Sequence, residues 1–113
     1  MGSHNYDAGT LTIANAAAVS GTLAANPHFT HAKRLTFYLP ATLTQAALKV
    51  QVSDDGGTTF FNLLDEQGNG VTGAASDAVT VPMGGWDACR VGTVGGGNEG
   101  AERTINVTAF EEM

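Results

Sequence analysis

Apolar and polar residues alternate most clearly at 48–53, where Leu48, Val50 and Val52 are interleaved with Lys49, Gln51 and Ser53, and at 104–109, where Ile105, Val107 and Ala109 are interleaved with Thr104, Asn106 and Thr108. A period of two places successive side chains on opposite faces of a strand, so each segment offers one face to a core and the other to water. Shorter apolar runs recur at 10–14, 19–23, 34–39, 58–64, 78–82 and 89–94, each bounded by turn-forming residues. The breakers are Asn26-Pro27, Pro40, Asp55-Gly56-Gly57, the segment 67–70 (QGNG), the segment 82–85 (PMGG) and the segment 95–100 (GGGNEG). Short runs separated by such signals define an all-β chain. The one helix-compatible stretch, NAAAV at 15–19, is too short to hold a helix alone and reads as strand or loop.

With 113 residues the chain is long enough for one core, and no linker divides it. Two packed sheets bury this many short strands economically, which predicts a single β-sandwich of jelly-roll type with about eight short antiparallel strands. Residues 15–113 are expected to form the sandwich. Residues 1–14, polar at first and then strand-like, are expected to form an N-terminal arm laid on a neighbouring subunit. Whether Met1-Gly2-Ser3-His4 is a native start or a cloning remnant is left open by the residues themselves.

Charge narrows the partners. Net charge is −6, charged residues make up 14% of the chain, and the five basic residues are scattered apart from Lys33-Arg34, so no basic stripe exists to neutralise phosphates. Nucleic acid is therefore not an expected partner. No run approaches the length of a membrane helix, and the first residues lack the pattern of a secretory signal, so no membrane association is expected and synthesis in a cytoplasm is. The uncharged surface, rich in Thr, Ser, Asn, Ala and Gly, suits packing against other proteins.

The most chemically suggestive stretch is SDDGGTTFFNL at 53–63. A hairpin turn needs positive φ, for which Asp-Gly followed by Gly is a strong local signal, and the turn accounts for every residue except Asp54. A calcium loop would require six to eight oxygens and acidic or amide residues at alternate positions, a pattern this stretch lacks. His28 and His31 would converge on a metal only on a helix, which Pro27 argues against, so they are expected at a surface or interface. Trp86, which follows two glycines, is expected to cap an open end of the sandwich, with a sugar-stacking platform as its alternative role. The single Cys89 permits no internal disulfide and is expected to be a buried thiol. The glycine-rich segment 95–100 lacks the lysine and following helix of a phosphate loop and reads as a flexible connection. No nucleophile–base–acid constellation occurs, so no catalytic residue, metal ligand or cofactor is assigned and no enzymatic activity is expected.

The order of these features resembles a small β-sandwich protein met among the structural genes of tailed bacteriophages, and also the galactose-binding-like jelly roll. In the former type a strand ending in an S-x-D-G turn is followed by T-x-[WF]-x-x-L, a D-x-x-G hairpin, an aromatic before an [IC]-R-[VL] strand, and a closing R-x-[IL]-x-[VL] strand. The matching positions, within roughly residues 34–110, are Ser53, Asp55 and Gly56; Phe60 and Leu63; Asp65 and Gly68; Trp86, Cys89, Arg90 and Val91; and Arg103, Ile105 and Val107. Phe60 stands where the pattern often carries Trp, and the loop aromatics of a sugar-binding member are missing. The resemblance implies a virion component at the capsid surface, a decoration (cement) protein that binds the major capsid protein as a homo-oligomer, with a trimer favoured. Tyr6, Thr10, Leu11, His28, His31 and Trp86 are its expected interface residues. The alternatives are a carbohydrate-binding attachment module and a head-completion, neck or tail protein.

Overall fold

The computed structural model describes residues 3–24 and 32–112. Its strands are β1 (Ser3–Ile13), β2 (Leu23–Ala24), β3 (Arg34–Tyr38), β4 (Leu48–Ser53), β5 (Phe61–Asn62), β6 (Thr72–Gly73), β7 (Ala78–Pro82), β8 (Ala88–Thr93) and β9 (Arg103–Glu112). No helix occurs among the described residues. One sheet has the order β1-β9-β3-β7; the other has the order β2-β8-β4-β5, with β6 also paired to β4. All pairings are antiparallel, and they nest: β1 with β9, β2 with β8, β3 with β7, β4 with β5. The chain is thus one long hairpin doubled on itself and rolled into two facing sheets, the all-β jelly-roll order expected from the pattern of short strands.

The core lies between the sheets. Leu35, Phe37, Ile105, Val107 and Val81 of the first sheet face Leu48, Val50, Cys89 and Val91 of the second, all buried. In β9 and along β4 as far as Val52 the alternation holds, with Leu48, Val50, Ile105 and Val107 inside while Thr104 and Asn106 are exposed; at the end of β4 Ser53 is buried as well. Each large apolar side chain buried in this way stabilises the fold by about 1.5–3 kcal/mol.

The amino-terminal segment departs from expectation. Residues 3–13 are not an arm but the edge strand β1, paired with β9 from Ser3 opposite Glu112 to Ile13 opposite Arg103. Leu11 and Ile13 are buried in the core at 1% and 0% exposure. Leu11, assigned to an interface on the sequence, is a core residue. The longer strand was concealed by a β-bulge between Asp7 and Gly9. The inserted residue shifts the phase, so Tyr6 and Leu11 both stand opposite inward residues, Ala109 and Ile105, despite an odd spacing. Gly9 is needed there: its φ is 127°, and a Cβ would lie 2.9 Å from Leu23 Cδ1. The Asp7 carboxylate accepts the Gly9 N–H at 2.9 Å and holds the bulge.

At the end of the sandwich where β1, β3 and β8 finish, Glu99 ties the connections together. Its side chain is fully buried. One carboxylate oxygen accepts the Thr44 N–H at 2.7 Å and the Arg103 Nε–H at 2.9 Å; the other accepts the Gln45 N–H at 2.9 Å. Its backbone accepts from Ala16 N–H at 2.8 Å and donates to Ala17 O at 2.9 Å. Segment 95–100, expected to be a flexible connection, is therefore pinned to two other loops. Burial alone would raise the Glu99 pKa, but the two backbone N–H groups and Arg103 outweigh it and hold the carboxyl below its ordinary 4.5.

Three outcomes follow from this packing. Leu11→Ala should cost about 2–5 kcal/mol by chemical denaturation, whereas Thr10→Ala, on the outer face, should stay within about 0.5 kcal/mol. Deleting residues 1–12 should abolish cooperative unfolding, and a truncated protein with the full-length melting temperature would show β1 to be dispensable. Glu99→Gln should cost about 3–5 kcal/mol at neutral pH. Because the folded pKa is depressed, the stabilisation from Glu99 is complete above the unfolded value and is lost as pH falls through the folded one, so the gap between wild type and Glu99→Gln should narrow on acidification. Urea midpoints measured across that range check both the cost and its pH dependence.

Candidate functional site

The acidic turn that follows β4 spends its polar atoms on itself. Asp55 Oδ1 accepts the Ser53 hydroxyl at 2.6 Å and the N–H groups of Thr58 and Thr59 at 3.0 and 2.9 Å. Ser53 Oγ in turn accepts the N–H groups of Asp55 and Gly57, and Asp87 accepts that of Gly56. The Ser53 hydroxyl and the Thr59 N–H, chiefly, stabilise the charged form and hold the Asp55 pKa down at about 2. Gly56 and Gly57 adopt φ of 77° and 104°, as the turn requires. Asp54 is exposed and takes no part in the network. The stretch is a self-capped turn.

The residues named from the sequence do not converge. Trp86 is 9% exposed and belongs to the core cluster, where it closes one end of the sandwich rather than presenting a platform. Its expected interface role is corrected by that burial, as Leu11's is. Tyr6 is half-buried opposite Ala109, while Thr10 is exposed on the outer face opposite Asn106. His28 and His31 lie outside the described residues. Cys89 is fully buried, and burial pushes its thiol up to about 12, which makes it unreactive at neutral pH. Other positions of the sequence resemblance serve packing and turns: the Arg90 guanidinium sits 4.1 Å from the Phe60 ring centroid, and Arg103 pairs with Glu99.

A surface that the sequence did not disclose lies on the flank between the two sheets. The run expected as one strand at 58–64 contributes only β5, and the chain returns to the same edge of β4 as β6. Val50 is the branch point, since its C=O accepts Leu63 N–H at 3.0 Å and its N–H donates to Val71 O at 3.1 Å. Between these anchors residues 63–71 stand out as a hairpin, with Leu64 bridged to Gly70. Asp65 caps its tip by accepting the N–H groups of Gln67 and Asn69 at 2.9 and 3.0 Å. At its base β6 comes against β7, and a Cβ on Gly73 would lie 2.6 Å from Val79 Cγ2. Beyond Val79 hairpin and strand enclose a cleft of about 350 Å³. Leu63, Val71, Val81 and Pro82 give it an apolar lining, and Asp65 and Glu66 contribute carboxylates without any cation. Leu64, also in the lining, is 55% exposed, and nearby in the chain Phe61 is 56% exposed. A cleft of this kind can receive an apolar group with a positive charge beside it.

By sequence, no family model and no curated protein matches the chain. Among solved structures, the SPBc2 prophage-derived protein YomS is similar in fold, with a TM-score of 0.63 at 10% identity over 96% of this chain and 93% of that one. A protein of disulfide-linked pili from Bacillus endospore appendages aligns at a TM-score of 0.44 and 15% identity, over 97% of this chain and 88% of that one.

The turn geometry separates two adjacent aspartates. Asp55→Ala should lower the melting temperature and Asp54→Ala should leave it unchanged, with calcium altering neither. The contribution of Asp55 should be complete above its ordinary pKa of 3.8 and vanish as pH falls through about 2. A calcium-dependent rise in melting temperature that disappears in Asp54→Ala would restore a metal site at this turn.

Proposed function

We propose that this protein is a non-enzymatic structural component of a tailed-phage virion, a decoration protein that binds the capsid surface through contacts with the major capsid protein. The observation that carries the reading is the outer face of the β1-β9-β3-β7 sheet. Thr10, Thr12, Thr36, Thr80, Thr104, Asn106 and Thr108 lie in neighbouring register there, and the Thr36 and Thr80 hydroxyls bond each other at 2.9 Å. Covering hydroxyls and amides, whose hydrogen bonds a partner can replace, costs far less than covering charges, and the centres of protein interfaces are correspondingly depleted of charge. The fold similarity to a prophage-derived protein supports the same reading. The burial of Trp86 counts against the carbohydrate-binding alternative, which relied on an exposed aromatic.

Decoration works by multivalency. A shell presents many equivalent sites, and an oligomer touching several subunits gains effective concentration from each contact, so modest interfaces sum to a firm attachment. The protein should therefore sediment as a trimer, co-sediment with empty capsids, and bind isolated capsid subunits far more weakly. Its copy number per particle, read from purified virions, should scale with the number of shell subunits. About a dozen copies or fewer would place it at the neck or tail, and failure to co-sediment would remove the capsid as its partner.

A further inference from the structure

We propose that the cleft between hairpin 63–71 and β7 is a strand-addition site for an extended polypeptide segment that carries an apolar residue beside lysine or arginine. Among the described residues β7 is the outermost strand of its sheet and pairs only with β3. An antiparallel strand directs its N–H and C=O groups alternately to its two edges, so the N–H and C=O of Ala78 and Thr80 and the C=O of Pro82 face away from β3, and Thr80 and Pro82 bring theirs to the cleft. Such a row is a template for another strand, whose main chain supplies affinity while alternate side chains supply specificity.

The cleft sets the side-chain requirement. Its volume of about 350 Å³ and its apolar lining by Leu63, Val71 and Pro82 suit one or two aliphatic side chains, given that an apolar cavity of roughly 150 Å³ is enough to hold benzene. The exposed Leu64 extends this apolar surface outward. Charge selects the flanking residue. Asp65 and Glu66 line the cleft with no cation among the lining groups, and the chain as a whole carries −6, so a basic segment is attracted and an acidic one repelled. The same carboxylates disfavour a second copy of this chain, because a two-fold contact through Leu64 would bring Glu66 of each copy together. The inference rests on the proposed function only for the identity of the protein that owns the segment, namely the shell protein.

The test uses the full-length, isotope-labelled protein titrated with the peptide acetyl-Lys-Val-Lys-Val-Lys-Val-Lys-amide, followed by amide chemical shifts. Peptides with Glu for every Lys, or Ser for every Val, are the controls. Shifts are expected at residues 63–67 and 79–81, with neither control binding measurably. Glu66→Lys and Leu64→Lys, both at exposed positions, should each weaken binding by about tenfold or more while leaving the melting temperature unchanged. The proposal is overturned by shifts confined to other surfaces, by no shifts up to the solubility limit of the peptide, or by equal binding of the Glu peptide. Concentration-dependent shifts of the same amides without peptide would overturn it in favour of a second copy. No capsid is present in this titration, so a negative capsid result leaves it standing, and its own failure leaves the decoration reading to its separate test.

Discussion

Three of the chain's crossings between the sheets, β1 to β2, β3 to β4 and β8 to β9, pass one end of the sandwich, and one buried residue, Glu99, holds all three through its carboxylate and its backbone. Glu99 receives backbone N–H groups from the β3–β4 connection, exchanges backbone bonds with the β1–β2 connection, and itself belongs to the β8–β9 connection, where Arg103 balances its charge. A carboxylate withdrawn from water is tolerated only when its oxygens are satisfied, and here three donors satisfy them: the N–H groups of Thr44 and Gln45 and the Arg103 guanidinium. Nested pairing makes this important. When the outermost strands of a rolled hairpin are β1 and β9, the sheets are joined chiefly through their crossings, and fixing those crossings fixes how the sheets face each other.

The opposite end is organised by the same chemistry at lower cost. Asp55 and Asp87 accept N–H groups within or next to their own loop, so the turn after β4 is rigid without a buried charge. Asp7 and Asp65 do likewise at the β1 bulge and the hairpin tip. Several of the chain's acidic residues are thus structural acceptors, which explains why an acidic protein offers so little that looks like a binding site. Glu66 differs in lining a cleft without capping a turn.

The scaffold separates two kinds of surface. The outer face of the β1-β9-β3-β7 sheet is broad and rich in threonine, with Asp7 and Arg34 as its exposed charges, whereas the flank beside β7 is small, apolar and acidic. A face of the first kind suits adhesion over an area, in which no single residue dominates. One of the second kind suits recognition of a particular side chain.

Alternation along 48–53 and 104–109, with turn residues between short apolar runs, determined the all-β class, the two buried faces, the burial of Cys89 and the turn at Asp55, because each depends on neighbours within a few residues. Tertiary structure alone decided the rest. The strand at 3–13 was hidden because a bulge breaks the period of two, and the need for Gly9 is apparent only once Leu23 arrives against it. Glu99 looked like part of a flexible glycine-rich loop because its partners, Thr44 and Gln45, are more than fifty residues away in the chain. The flank cleft was invisible for the same reason. Its walls, residues 63–71 and β7, meet only when the hairpin branches from Val50 and Gly73 admits Val79, and a local pattern carries no information about a contact made by the return of a distant strand.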